Sequence, residues 1–262
     1  MKIPLVLVHG WGIGSKIWQP ILSSLSSQFD VTLVDLPGYG EDAEYDGDYS
    51  IPVVVERVLA QAPDGKAIWV GWSLGATIVM TAALAQPARF LGLQLISATP
   101  RFLNTHEAGS EWFWGTDLEP FEKLAELFEQ NHAKAMKRFL LLQADTHDRA
   151  AITAAKTWVR ELGQLILKSP TPTTHTLFSG LEILAKVDLR TKLGDLSVPT
   201  QVVAGTHDQV VPAAASRYLA SQLAHEGDRT LEYFEFPTGH LPFIESPAKY
   251  LELLTSFANA NR

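Results

Sequence analysis

Short apolar runs rich in β-branched residues recur along the chain: Pro4–Val8, Val31–Val34, Ala67–Val70, Leu91–Ile96, Thr200–Ala204 and Leu231–Phe236. Most are followed by a loop and a longer amphipathic stretch, as at Ser50–Gln61, Leu74–Gln86, Ala213–Leu223 and Pro247–Ala258. A strand followed by a helix, repeated in this way, predicts an α/β fold with a mostly parallel sheet flanked by helices. Apolar runs that are continuous rather than alternating predict a sheet buried on both faces.

The rhythm breaks between Arg101 and Val187, where no strand pattern appears. Phe121–Asn131, Ala133–Ala144, Arg149–Lys168 and Gly180–Val187 carry helical periodicity instead, and Pro170-Thr171-Pro172-Thr173-Thr174 punctuates the stretch. The expected organisation is a core built from residues 1–104 and 188–262, with residues 105–187 as a helical insertion over the edge where strands deliver their C-terminal ends.

Composition narrows the partners. A net charge of −8 over 262 residues repels nucleic acid and anionic membranes. The absence of cysteine removes disulfides, a thiol nucleophile and any Cys-based metal site. No cofactor and no metal are expected. The apolar run Ile3–Val8 is too short for a signal sequence and meets His9-Gly10 instead of a cleavage site. Nothing approaches the ~18 apolar residues of a membrane span, so a soluble, cytoplasmic and monomeric protein is expected.

The chemistry is concentrated in loops that follow strands. Gly71-Trp72-Ser73-Leu74-Gly75 lies between the strand run Ala67–Val70 and the helical run Leu74–Gln86. A G-x-S-x-G pentapeptide in that setting is a nucleophile elbow, with Ser73 exposed on a strained turn and the N–H of Leu74 free to meet an oxyanion. Taken alone, it would equally suit a serine capping a helix between packing glycines. His9-Gly10-Trp11-Gly12 follows the first run, which makes the backbone N–H of Trp11 the second oxyanion donor and its indole a wall of the site. Gly10, Gly12 and Gly14 do not fit the G-x-G-x-x-G spacing of a dinucleotide site. His9 is expected to brace the loop.

Asp208 follows Thr200–Ala204, and His240 follows Leu231–Phe236. The order Ser73, Asp208, His240 assigns nucleophile, orienting acid and general base. His106, His132, His147 and His175 fall in the insertion and His225 in a polar helix end. His207 is the one serious rival base, but it adjoins the acid in sequence, and neighbouring side chains rarely face each other.

These features resemble the α/β-hydrolase family over essentially the whole chain. The likeness is greatest to the branch that hydrolyses the terminal methyl ester of a pimeloyl group borne on acyl-carrier protein, in biotin synthesis. The strings that carry it are His9-Gly10-Trp11-Gly12, Leu33-Val34-Asp35-Leu36-Pro37-Gly38-Tyr39-Gly40, Ala67 to Gly75, Arg138-Phe139-Leu140-Leu141-Leu142-Gln143, Gly180-Leu181-Glu182-Ile183-Leu184 and Val187-Asp188-Leu189-Arg190. The resemblance implies a Ser73–His240–Asp208 triad, oxyanion donors at Trp11 and Leu74, and substrate contacts from Trp11, Leu74 and Phe139. It also implies acyl-carrier protein as partner. The chain starts at the first parallel strand without the antiparallel strands usual in the family, so a shorter sheet edge is expected. The stretch between Gln143 and Gly180 is longer than the pattern.

The insertion is polarised in a way that suits an acidic carrier. Lys134 to Lys168 holds seven basic residues against three acids, a net of +4, whereas Glu107 to Glu129 holds seven acids against Lys123, a net of −6. Arg138, Arg149, Lys156 and Arg160 are the candidate docking residues, since charges at an interface rim steer encounter; a solvated helix face would look the same. The triad by itself fits a general short-chain carboxylesterase, a C–C hydrolase or a perhydrolase as well. A ligand-binding protein on the same scaffold would not need both oxyanion donors.

Overall fold

The computed structural model describes residues 2–117, 119–224 and 230–262. Its sheet is made of β1 (Ile3–Val8), β2 (Phe29–Val34), β3 (Ala67–Trp72), β4 (Phe90–Ile96), β5 (Thr200–Gly205) and β6 (Leu231–Phe236). All six run parallel in the order β2-β1-β3-β4-β5-β6. β3 is buried at every position, as expected of a strand covered on both faces, while the polar residues of Leu231-Glu232-Tyr233-Phe234-Glu235-Phe236 lie on an edge strand. The chain steps outward from β1 to β2 and then returns to pair β3 on the other side of β1. The order reverses at that point, so the connections after β1 and β3 lead to opposite edges of the sheet, the switch point at which open α/β sheets carry their sites.

The helices are α1 (Gln19–Gln28), α2 (Ile51–Gln61), α3 (Leu74–Ala85), α4 (Glu119–Gln130), α5 (His132–Gln143), α6 (Arg149–Ile166), α7 (Thr174–Lys186), α8 (Ala213–Ala224), the short α9 (Pro242–Glu245) and α10 (Pro247–Ala260). The apolar pattern does not single out α1. Its sequence QPILSSLSSQ holds four serines, which compete for backbone hydrogen bonds, and burial of Ile21 and Leu25 holds the helix instead. α7 starts six residues before the expected Gly180, because the Thr173 side chain accepts the Thr176 N–H at 3.2 Å and caps it. Asn131 caps α5 and Asp148 caps α6 in the same way. None of the described helices is long and apolar enough to cross a membrane.

Helices α4 to α7 occupy the chain between β4 and β5, with no strand among their described residues. The stretch is closed at its base by a backbone bridge between Arg101 and Asp188. There the Asp188 carboxylate accepts from Arg101 at 2.8 Å and from Arg190 at 2.6 Å. The paired guanidinium groups offset the cost of partial burial and hold the Asp188 pKa down at about 2. Because this folded-state value lies below the ordinary one, the stabilisation is present above about pH 4 and is lost only as pH falls through about 2. Asp188→Ala strands two arginines at the junction. A loss of about 1 kcal/mol is expected for such a partly exposed cluster, seen as a fall in melting temperature of about 2–4 °C at pH 7.

Candidate active site

The site is assembled at the C-terminal edge of the sheet. β3 turns into α3 through Ser73, whose φ of 57° and ψ of −120° place a non-glycine residue in a strained conformation. Such geometry costs on the order of 1–3 kcal/mol and persists only where packing enforces it. The Ser73 N–H is held by the Ile96 carbonyl at 3.0 Å. Both elbow glycines are required by space. A Cβ on Gly75 would stand 2.4 Å from the His9 carbonyl oxygen, and one on Gly71 2.3 Å from the Val79 side chain. Ser73 remains half-buried while its neighbours Trp72 and Leu74 are fully buried.

Asp208 and His240 meet directly, with Asp208 Oδ2 2.7 Å from His240 Nδ1 and both side chains nearly sealed from solvent. The other carboxylate oxygen of Asp208 accepts the N–H groups of Val210 (2.8 Å) and Val211 (2.9 Å). The acid is thereby fixed in position by three hydrogen bonds. With Nδ1 engaged, Nε2 is the free basic nitrogen of His240. Among the described residues no hydrogen bond joins it to the Ser73 hydroxyl, and such bonds commonly tighten only when substrate arrives. What ties base to nucleophile is Trp72. Its indole N–H donates to the His240 carbonyl at 2.9 Å, and its ring lies 5.4 Å from the imidazole.

The oxyanion loop is braced from below. His9 is fully buried, with Nδ1 against the Gly10 carbonyl at 2.8 Å and Nε2 accepting the Leu36 N–H at 3.0 Å. Burial lowers its pKa, which keeps the ring neutral. It braces the loop and is remote from base chemistry. The Tyr39 hydroxyl accepts the Gly12 N–H at 2.9 Å, and the Asp35 carboxylate takes both the N–H and the hydroxyl of Ser15. The N–H groups of Trp11 and Leu74 have no acceptor among the described residues. Leu74 opens α3, where the helix dipole favours negative charge.

The Trp11 indole points into the helical insertion. Its N–H donates to the Leu177 carbonyl of α7 at 2.7 Å, and the rings of Phe121, Phe128 and Phe139 pack edge-on around it. Phe139 also closes over Gly12. Trp11, Leu74 and Phe139 are all buried in this closed arrangement. Arg138, Arg149, Lys156 and Arg160 are exposed on the outer face of the insertion. Lys156 and Arg160, joined by Lys137, rim a groove of about 530 Å³ between α5 and α6 whose floor includes Leu141 and Leu167. His207 turns away from the triad toward Asp145, and His225 lies outside the described residues.

Sequence reasoning missed several supports. Gln143 accepts the His240 N–H at 2.8 Å, and Ser97, itself at φ 48°, donates its hydroxyl to the His240 carbonyl at 3.1 Å. Neither position carries a local signal, although Gln143 ends one of the strings shared with the hydrolase family. Glu245 is the third. One of its oxygens accepts the N–H groups of Asp145 (3.2 Å) and Gly239 (3.3 Å), while the other is buried without a partner.

A family model described as alpha/beta hydrolase fold matches residues 3–247. The chain is 35% identical over 253 residues to a pimeloyl-[acyl-carrier protein] methyl ester esterase of Aliivibrio salmonicida, covering 97% of this chain and 91% of that one. It is equally similar to the protein of the same name from Xylella fastidiosa, at 35% with coverage of 97% and 94%. Among solved structures, an esterase from Exiguobacterium antarcticum superposes with a TM-score of 0.78 at 22% identity, covering 98% of this chain and 92% of that one. A bromoperoxidase from Bacillus anthracis gives 0.81 at 17%, with coverage of 99% and 92%. At these identities the structural likeness speaks for the fold alone.

Glu245 makes the site pH-sensitive. Burial raises its pKa from 4.5 to about 7, against the opposing pull of the Gly239 and Asp145 N–H groups. A carboxyl whose folded-state pKa is raised binds a proton that the unfolded chain releases, so stability falls as pH climbs from about 4.5 to 7. Glu245→Gln keeps the accepting oxygen and removes the charge. The difference in melting temperature between variant and parent is expected to be small at pH 4.5. At pH 8 the variant should be the more stable, by an amount approaching about 3 kcal/mol. A pH-independent difference would show that Glu245 does not titrate in this range.

Proposed function

The chain belongs to the α/β-hydrolase family, and on that premise we propose that it is a serine carboxylesterase that removes the methyl group from the distal ester of a pimeloyl chain carried on acyl-carrier protein, as a step in biotin synthesis. The reaction type rests on one observation above all, the 2.7 Å contact between Asp208 and His240 beside the strained Ser73 elbow. The substrate rests on similarity to relatives that bear this name and align along nearly the full chain.

In this reading Ser73 Oγ attacks the ester carbonyl while His240 Nε2 accepts the hydroxyl proton. Asp208 orients the imidazole and stabilises its charged form. The tetrahedral oxyanion takes hydrogen bonds from the Trp11 and Leu74 N–H groups, each contributing roughly 3 kcal/mol to transition-state stabilisation in comparable hydrolases. The C–O bond to methoxide breaks, the leaving oxygen receives the proton from His240, and methanol departs. Water then gives a proton to His240 and attacks the acyl-enzyme, which releases the free carboxylate and restores Ser73.

Residues 105–187 act as a lid. Trp11, Leu74 and Phe139 would line the acyl path once α5 lifts from Gly12, and the basic outer face of α5 and α6 would receive the acidic carrier. Arg138, Arg149, Lys156 and Arg160 then supply long-range attraction rather than contacts to the ester.

Ser73→Ala is expected to reduce hydrolysis of pimeloyl carrier methyl ester by at least about 10⁴-fold with an unchanged melting temperature. The parent gene, unlike this variant, should rescue a biotin-requiring strain that lacks its esterase. Rapid turnover of short p-nitrophenyl esters with no activity on the carrier ester would instead identify a general esterase. Reversing the four basic charges together should lower kcat/KM for the carrier-linked ester about tenfold or more at low salt and leave a small soluble ester unaffected. Equal losses on both would remove these residues from docking.

A further inference from the structure

Outside the triad, one carboxylate and two imidazoles converge at the junction of insertion and core. His147 Nδ1 lies 2.7 and 2.8 Å from the two Asp145 oxygens, and His207 Nδ1 lies 3.0 Å from one of them. The donor atoms of the three side chains all fall within 4.8 Å of one another, the one such group among the described residues. Ligands at the usual bond lengths around a tetrahedral cation stand about 3.3 Å apart, so these atoms are already close to the spacing an ion requires. The two imidazoles are stacked, with centroids 4.0 Å apart and planes 26° from parallel. Shared ligation requires the rings to tip toward a common point, and His147, whose side chain is 45% exposed, has room to do so.

The surroundings are arranged for a cation. Asp148 Oδ2 stands 3.2 Å from the far nitrogen of His147, which is the outer carboxylate that metal-binding histidines commonly hold and that fixes their tautomer. Asp145 is buried and anchored, its N–H donating to Glu245 and one of its oxygens accepting the His147 N–H at 2.9 Å. Two nitrogens and one carboxylate oxygen are a donor set of intermediate softness, suited to zinc and its late first-row neighbours and ill-suited to calcium or magnesium.

We propose that Asp145, His147 and His207 form a binding site for a zinc-type divalent ion that staples the helical insertion to the loop bearing the catalytic acid. Asp145 and His147 lie in the connection between α5 and α6, and His207 immediately precedes Asp208. An ion bound there links two segments 60 residues apart in the chain with three protein donors and leaves one coordination position to water. Occupancy opposes separation of the α5–α6 corner from the acid loop.

The test is calorimetric titration of zinc chloride into the full-length, untagged chain, paired with thermal melting. One ion per chain is expected, with a Kd in the low micromolar range. The melting temperature should rise by roughly 5 °C at a hundredfold excess over Kd. His147→Ala and His207→Ala should each weaken binding about tenfold or more, while His175→Ala, a change at an exposed histidine of α7, leaves it unaltered. Should His207→Ala disturb the acid loop and unfold, His147→Ala decides alone, because its side chain is 45% exposed and lies outside the acid loop. No binding at 100-fold the expected Kd, or equal affinity in parent and His147→Ala, overturns the proposal.

Discussion

His240, the base in the proposed mechanism, is held by its backbone from three sides, and the rest of the site depends on that grip. Gln143 of the insertion accepts the His240 N–H, while Trp72 of the nucleophile strand and Ser97 after β4 both donate to its carbonyl. One peptide segment thereby ties together the insertion, the serine elbow and the strand beside it, and the Asp208 carboxylate then needs only to fix ring rotation. The grip is possible because the acid and base loops approach backbone to backbone. A Cβ at Gly205 would stand 1.9 Å from the Gly239 carbonyl oxygen, and one at Gly239 2.5 Å from that of Gln143. Any side chain at either position would part the loops and move the imidazole, so the triad geometry rests on two missing methyl groups as much as on three functional ones.

The framework was legible where a physical requirement acts over a few residues. Continuous apolar runs marked the central strands because burial on both faces leaves no room for alternation, while β6 at the sheet edge keeps two glutamates. Glycine flanking Ser73 announced the elbow, since only a residue without a side chain fits within 2.4 Å of the His9 carbonyl. What stayed hidden depends on distant partners. Nothing near Glu245 foretells that its carboxyl will be buried between the Asp145 and Gly239 N–H groups. Ser97 reads as one more polar residue after a strand until its donation to His240 is seen. Asp145, His147 and His207 have no motif spacing, because 60 residues of chain separate the last from the second, and only the fold brings their nitrogens and oxygens together. The indole of Trp11 is instructive in another way. Its backbone position followed from the loop after β1; the turn of its ring toward α7, where it donates to Leu177, did not.

That turn makes the insertion part of the site. In the proposed mechanism the Trp11 backbone supplies an oxyanion donor, while its side chain is the centre of an aromatic cluster from α4 and α5. The insertion therefore meets the core beside the proposed site through the Trp11 ring and the Gln143 carbonyl. In the proposed reaction, movement of α5 that admits an acyl chain past Phe139 would have to be accommodated by both, which would couple lid position to catalytic geometry.

Coupling of this kind bears on a chemical difficulty in the proposed substrate. A carrier-linked diacyl chain presents two electrophiles, and the thioester is intrinsically the more reactive. An oxyanion hole cannot favour the ester on electronic grounds, because both carbonyls develop the same charge on attack. Discrimination must come from reach, since a carbonyl that is never brought within about 3.5 Å of Ser73 does not react whatever its leaving group. On the proposed docking mode, a basic outer surface that received the carrier would set how far the thioester stands from the serine, and the length of the acyl chain would then decide which carbonyl arrives. On this argument the charges of α5 and α6 act on regiochemistry as well as on encounter. A carrier held in a different register would present the wrong carbonyl to an otherwise intact triad.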